Sequence, residues 1–482
     1  MVELKKLNDG SLFALTFGIV LLSRVPFIYA GYGIDPDAWR VLHSAQSIAS
    51  THEYTASRLP GSPVQEILYS IFLNKEPVYF NGTTAIFSAA GIGLFVLALR
   101  KIGSTDSLLT GIALASTPVV FINSVNSMDY VWALSFVLGS MYCILVRRPM
   151  IAGILLGLAV GCRITSGGMA LPLGMMLDVI NSEKKVQMKE TVQFLAGSFA
   201  ISIAAYSPVY MKYGFGFFTF SDGNTPLVAI LRTATIEVWG VVGLLAIIAA
   251  TAVAIAQRKR IQQENSISPT IPRGWIISWT VAVGIYVIAF LRLPGEAGYL
   301  IPVLPFLFLL LGRYSSRRNF VVTCIAVVSS SFLIGIDSID RPWSVSPSKF
   351  SVILSTGGRK LAADLLQGPI INDRLRRLRR MEFVARVISF AEREQNRSVI
   401  VAGVWLPQIV MTLGGKLSDN RDTSYSLPFG RATFVGLLDK KAIEQCLYQG
   451  RRVYFIQGQE DYNKEALGVN IVELGAQVVF FQ

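Results

Sequence analysis

Over roughly the first two-thirds of the chain, long and nearly charge-free apolar runs alternate with short polar and basic clusters, and the pattern changes abruptly near residue 337. Runs of about 15–25 residues are what a helix needs to cross a bilayer. They fall at 11–30, 79–99, 107–123, 130–146, 150–163, 167–180, 191–208, 229–257, 275–291, 299–312 and 319–336, which predicts eleven transmembrane helices. The short runs between 150 and 180 need extension at their ends to span. Beyond 337 the periodicity is that of a soluble protein. RLRRLRRMEFVARVISFAEREQ (374–395) reads as a helix and SVIVAGVW as a strand, and a helical pattern follows Leu406. A second helix is expected at 440–449, with strands at RRVYFIQ and AQVVFF. Strands alternating with helices predict a small α/β domain. The expected architecture is an α-helical polytopic membrane region over 1–336 and a soluble α/β domain over 337–482.

The segment between the first two runs, 31–78, is too long for a mere connector. After Asp37, apolar Val41, Leu42, Ala45, Ile48 and Ala49 recur with helical spacing. One apolar face of that kind predicts a helix lying in the membrane interface.

Composition agrees with the membrane class. Of 482 residues, 52% are hydrophobic and 16% charged, and the mean hydropathy is +0.50, more apolar side chain than a water-soluble surface can hide. Lys5 and Lys6 precede the run 11–30, which has spanning length and no small-residue cleavage site after it, and so reads as a signal anchor. The net charge of +13 does not point to nucleic acid, because much of the Lys and Arg sits in short clusters between apolar runs. Sixteen of them, from Lys5 to Arg318, fall on one side if the N-terminus is cytoplasmic, against seven (Arg40, Arg58, Lys75, Arg163, Lys212, Arg232, Arg292) on the other. The positive-inside rule then places the N-terminus in the cytoplasm and, with an odd number of spans, the tail outside, across the plasma (inner) membrane. Cys143, Cys162, Cys324 and Cys446 are scattered, without metal-ligand spacing or a disulfide framework.

Candidate chemistry gathers in the loops on the second side. Asp35 and Asp37 flank Pro36 where the first run ends. A carboxylate there can take a proton from an acceptor hydroxyl at headgroup level, although an aspartate before a helix also caps it. Asp129, in NSVNSMDYVWAL, stands beside two apolar runs, where an ionisable group has a partner, a task or a capping role. Arg163 (GCRITSGGMALP) and Arg292 with Glu296 (LRLPGEAGYLIPVLP) bring further charges to the same side. A guanidinium can hold two phosphate oxygens at once; it can also simply snorkel to the interface. Arg40 and Arg58 are weaker candidates for the same role. His43 and His52, the only histidines, read as surface polarity.

Taken in order, DAWRVLHSA (37–45), EYTASRLPGSPVQE, SMDYVWA and RLPGEAGYLIPVLP make the chain resemble the GT-C superfamily, multi-span glycosyltransferases that use polyprenyl-phosphate sugars. The likeness runs over about 11–315. It rests on an acidic first-loop motif leading into a juxtamembrane helix, a Gly/Pro-rich stretch in the same loop, and a late Tyr/Pro motif that contains Tyr299. Many members carry Asp-Glu in the first loop; here Ala38 follows Asp37, and the second acid is Asp35. The resemblance implies inverting transfer at the extracytoplasmic face, with Asp37 favoured as base, arginines on the donor phosphate, and a glycan, lipid or protein as acceptor. It leaves open a divalent cation (magnesium or manganese) on Asp35, Asp37 and Asp129. No P-loop or dinucleotide fingerprint is present, as expected where no nucleotide is used. A transporter or lipid flippase of cell-envelope precursors is the alternative, but no internal repeat supports it. A non-catalytic scaffold would leave the long first loop unexplained.

Overall fold

In a computed structural model, the described residues are 7–72, 76–180, 184–218, 225–256, 271–341, 343–356, 359–414, 426–469 and 474–480. With no water to satisfy backbone groups in hydrocarbon, an apolar run must close its hydrogen bonds within itself, and each of the eleven runs is occupied by helix. In chain order these are α1 (Asp9–Arg24), the loop helices α2 (Pro36–Thr51) and α3 (Pro63–Tyr69), then α4 (Pro77–Ile102), α5 (Ser107–Ser116), α6 (Pro118–Asn123), α7 (Tyr130–Leu145), α8 (Pro149–Cys162), α9 (Ala170–Ile180), α10 (Lys184–Tyr213), α11 (Leu227–Ala234), α12 (Ile236–Ala256), α13 (Arg273–Arg292), α14 (Leu304–Tyr314) and α15 (Arg317–Ser330). Among the described residues, six helical stretches are long and apolar enough to cross a membrane: Asp9–Phe27, Pro77–Ile102, Lys184–Gly216, Ile236–Ala256, Arg273–Arg292 and Ala297–Tyr314. Four shorter apolar helices, of 10–17 residues, fill most of the remaining runs. The chain is a polytopic helical membrane protein.

Three runs depart from straight spans, each for a local reason. Run 107–123 breaks at Thr117, whose extended ψ of 126° is what a residue before proline adopts. The carbonyls of Ala115 and Ser116 beside that break are taken by Arg24 Nη2, at 2.5 Å, and by the Ser331 hydroxyl. Arg24 lies inside the first apolar run, fully buried, with its guanidinium 3.9 Å from the Phe121 ring centroid and its Nε donating to Ser124 Oγ at 2.9 Å. Run 229–257 is divided into α11 and α12, and α12 bends again at Gly240, where φ is +65°. A Cβ on Gly240 would sit 2.3 Å from the Ser330 hydroxyl oxygen, which donates to the Trp239 carbonyl. Run 319–336 is helical only to Ser330, and by Gly335 the chain is already a strand.

The tail adds β1 (Gly335–Ser338), β2 (Ser351–Thr356), β3 (Arg359–Asp364), α16 (Pro369–Arg393), β4 (Ser398–Val401), α17 (Leu406–Thr412), β5 (Ser426–Phe429), β6 (Ala432–Val435), α18 (Lys440–Tyr448), β7 (Arg452–Ile456), α19 (Gln459–Leu467) and β8 (Gln477–Val479). β1, β3 and β2 make an antiparallel sheet in that order. The second sheet has the order β5-β6-β4-β7-β8, parallel except for β5. Alternation along its strands sorts side chains to two faces. Ile400, Phe434 and Tyr454 pack with Phe383 and Val387 of α16, while Val399, Val401, Val435 and Phe455 pack with Ile443 of α18.

The tail also grips the first loop. α17 packs on α2, and Met411 joins the main hydrophobic cluster of the helical bundle. Val41, Leu42 and Ala45, expected to face the membrane interface, are buried in protein instead. Part of the arginine-rich stretch 374–380 is buried as well. Arg377 is 1% exposed and ion-paired with Asp373 at 2.9 Å. It donates to the carbonyls of Val125 (2.8 Å) and Gly31 (3.3 Å), while Arg380 donates to that of Ile34.

Candidate active site

α2 begins where it does because Asp35 caps it. Its backbone is extended, its Oδ1 accepts from the Asp37 N–H at 2.8 Å, and Pro36 occupies the first helical turn. The capping role left open for both aspartates thus belongs to Asp35, and Asp37 points elsewhere. The turn before the cap is fixed by Asn81 of α4, whose amide donates to the carbonyls of Ile28 and Gly31 at 2.9 Å each, and by the Ser127 N–H on the Tyr32 carbonyl.

From this anchor a row of alternating charges crosses three segments. Asp37 is ion-paired with Arg40, at 2.8 Å, and with Arg58. Arg58 reaches on to Asp129, Nη2 to Oδ1 3.6 Å, and Asp129 is paired with Arg163 at 2.5 Å. The Asp129 and Arg163 side chains are 8% and 9% exposed, so each charge depends on the other to offset its desolvation. Arg163 also lies 3.7 Å from the ring centroid of Tyr130 and 4.8 Å from that of Tyr299, a cation–π arrangement with two faces. The Tyr130 hydroxyl in turn donates to Glu296. Asp35, Asp37, Arg40, Arg58, Asp129, Arg163, Glu296 and Tyr299 are therefore gathered at one end of the bundle. Arg292, the exposed residue that ends α13, lines neither of the cavities described next.

Two cavities of different character lie on either side of the Arg163–Tyr130 contact. A small one of about 100 Å³ is lined by Arg58, Asp129, Arg163, Thr165 and Tyr299. A larger one of about 560 Å³ is lined by Asp35, Tyr130 and Glu296 from the bundle end and by Asp337, Asn372 and Arg376 from the tail. The carboxylates differ accordingly. Burial would raise the Asp37 carboxyl, yet the Arg58 and Arg40 guanidiniums hold it below the ordinary range. Burial, with the neighbouring charges of Asp37 and Glu296, pushes Asp35 up to about 6.

Sequence reasoning passed over Glu66. This buried residue of α3 accepts from the Ser57 N–H (2.8 Å), the Ser62 N–H (3.3 Å) and the Tyr54 hydroxyl, stapling the turn that carries Arg58. All three contacts are donors to oxygen, so the amide nitrogen of a Glu66→Gln variant must face one of them. That variant is expected to lose about 1–3 kcal/mol of stability, read as a lower Tm of the purified protein. An unchanged Tm would show that the staple is not needed. His43, read as surface polarity, is buried at 3% exposure.

A divalent cation does not fit these residues. Among the described residues no three His, Cys, Asp or Glu side chains converge as a ligand set. Asp37 and Asp129, offered with Asp35 for that role, face guanidiniums, whose charge opposes a dication.

No family model and no curated protein sequence matches the chain. Among solved structures it is similar to the crystal structure of ArnT from Cupriavidus metallidurans bound to undecaprenyl phosphate, with a TM-score of 0.43 and 13% identity. The match covers 66% of this chain and 59% of that one. Both measures are too low for the likeness to carry an activity or a substrate across.

Proposed function

We propose that this protein is a membrane glycosyltransferase that moves a sugar from a polyprenyl-phosphate donor to a hydroxyl of a glycan, lipid or protein acceptor. In this reading the N-terminus is cytoplasmic, and the charged end of the bundle and the tail are extracytoplasmic. The observation that carries the reading is the row Asp37, Arg58, Asp129, Arg163, whose two arginines line a small cavity, with a larger cavity lined by Asp35 and Glu296 nearby.

The donor phosphate suits the small cavity. Arg58 and Arg163 already hold carboxylates there, and a phosphate offers the same guanidiniums more oxygens and more charge. The acceptor suits the larger cavity, so the hydroxyl approaches the anomeric carbon from the side opposite the phosphate. As the acceptor oxygen bonds to that carbon, the carbon–oxygen bond to phosphate breaks and its electron pair leaves on the phosphate, which the arginines stabilise. The hydroxyl proton passes to a carboxylate. Asp37 is favoured by the sequence, but two guanidiniums make it a poor proton acceptor. Asp35 lines the acceptor cavity and titrates nearer neutrality, where general bases work best. We therefore assign the proton to Asp35, and to Asp37 the task of holding Arg58.

The test is turnover of a panel of polyprenyl-phosphate sugars by the purified protein in nanodiscs, followed by mass spectrometry. Because the base must be ionised, kcat/KM is expected to rise with pH and level off above about 6, as Asp35 loses its proton. Asp35→Asn is expected to lower kcat by about 10²–10⁴-fold and to remove the acidic limb. Wild-type turnover in that variant would end the assignment. Absence of transfer from every donor would end the enzyme reading.

A further inference from the structure

A second polar cavity lies in the tail, apart from the charged row. It measures about 580 Å³ and is lined by Arg397, Ser398, Gly430, Arg431, Thr433 and Arg451, among others. The pairing register explains why three arginines meet there. Ser398 of β4 stands opposite Ala432 of β6 and Arg452 of β7. Arg397, Arg431 and Arg451 are the residues that immediately precede those three, on three adjacent parallel strands. Neighbouring strands are about 4.8 Å apart, and like charges set side by side on them destabilise the sheet.

Nothing described offsets that repulsion. Arg452 is drawn to Glu394 at 3.9 Å, but no described carboxylate forms an ion pair with Arg397, Arg431 or Arg451. Arg431 donates to the Gln395 carbonyl. A concave site with three guanidiniums that have no carboxylate partner among the described residues is built for a multiply charged anion. Oxygens arranged around one centre suit forks of donors from three directions.

We propose that the strand-start edge of the β6-β4-β7 sheet is a phosphoryl-binding site, with Arg397, Arg431 and Arg451 supplying the charge and the donors. The phosphoryl group belongs either to a soluble phosphate ester or polyphosphate, or to an anionic lipid headgroup. The site is independent of the glycosyl-transfer reading and stands or falls without it.

The experiment uses the full-length protein in nanodiscs and reads Tm. In one arm the lipid is zwitterionic and tripolyphosphate is titrated; in the other, phosphatidylglycerol is added to the bilayer and no polyphosphate is present. Tripolyphosphate about tenfold above its Kd is expected to raise Tm by a few degrees if the source is soluble; phosphatidylglycerol gives the rise if the source is lipid. Arg397→Gln/Arg431→Gln is expected to abolish whichever rise occurs, weakening binding by at least about tenfold. Because the substitution relieves repulsion, its Tm without ligand should equal or exceed that of wild type, which separates lost binding from misfolding. No rise in either arm, or a rise that persists in the double variant, would overturn the proposal.

Discussion

Arg58→Ala is expected to lower kcat/KM by about 10²–10³-fold, the loss that follows removal of one preorganised donor facing a developing negative charge. Arg58 is the only member of the row that touches both Asp37 and Asp129, so its removal acts twice. The small cavity loses one of its two arginines, the pair that the proposed reaction sets against the departing phosphate. Asp37 is left with Arg40 alone, whose side chain is 38% exposed and whose charge is screened by water. A lysine at position 58 would restore the charge but not the fork, so Arg58→Lys should recover part of the donor KM and little of kcat. The comparison is informative only if the fold survives. Glu66 holds the turn through backbone N–H groups of Ser57 and Ser62 that the substitution leaves in place, so Tm should change little. Turnover within about threefold of wild type in Arg58→Ala would remove Arg58 from the chemistry.

Much of the scaffold behind this prediction was legible before any coordinates. Apolar runs long enough to span are a strong signal, because every backbone group in hydrocarbon must be satisfied inside its own helix. The breaks were less so. Pro118 is visible in run 107–123, but only the structure shows that its cost is met by Arg24 and Ser331. Charged residues beside apolar runs also announced themselves, which is why Asp37, Asp129 and Arg163 could be named. Their pairing could not be read, because Arg58 and Asp37 are 21 positions apart, Arg163 and Asp129 are 34 apart, and periodicity carries no information between helices. Arg292 shows the converse: the same residue type beside an apolar run, yet exposed at the end of α13 and lining neither cavity. Glu66 was missed because it sits in a locally ordinary helix pattern, and within the arginine run 374–380 nothing in the sequence marks Arg377 as the buried one. What makes them matter is burial, which depends on packing by segments far away in sequence.

Arg377 carries the second large prediction, on stability. It joins the tail to both turns that hold the charged row: the carbonyl of Gly31 lies before Asp35 and that of Val125 before Asp129. Its ion pair with Asp373, at 1% and 5% exposure, is among the most buried in the protein. Removing one partner of such a pair leaves an uncompensated, nearly buried charge, a loss of up to about 3–5 kcal/mol. Arg377→Ala is therefore expected to lower Tm by several degrees and to lower kcat as well, since the turns beside Asp35 and Asp129 lose a common clamp. Replacing both charges tests the reason. In Arg377→Leu/Asp373→Leu no buried charge is stranded, so the double variant should be more stable than Arg377→Leu alone, a non-additivity that contacting residues show and distant ones do not. The carbonyls of Gly31 and Val125 still lose their donor, so kcat should stay low while Tm recovers. Strict additivity of the two single losses would mean that the pair is not coupled. Full recovery of kcat in the double variant would mean that the tail stabilises the bundle without positioning its charged end.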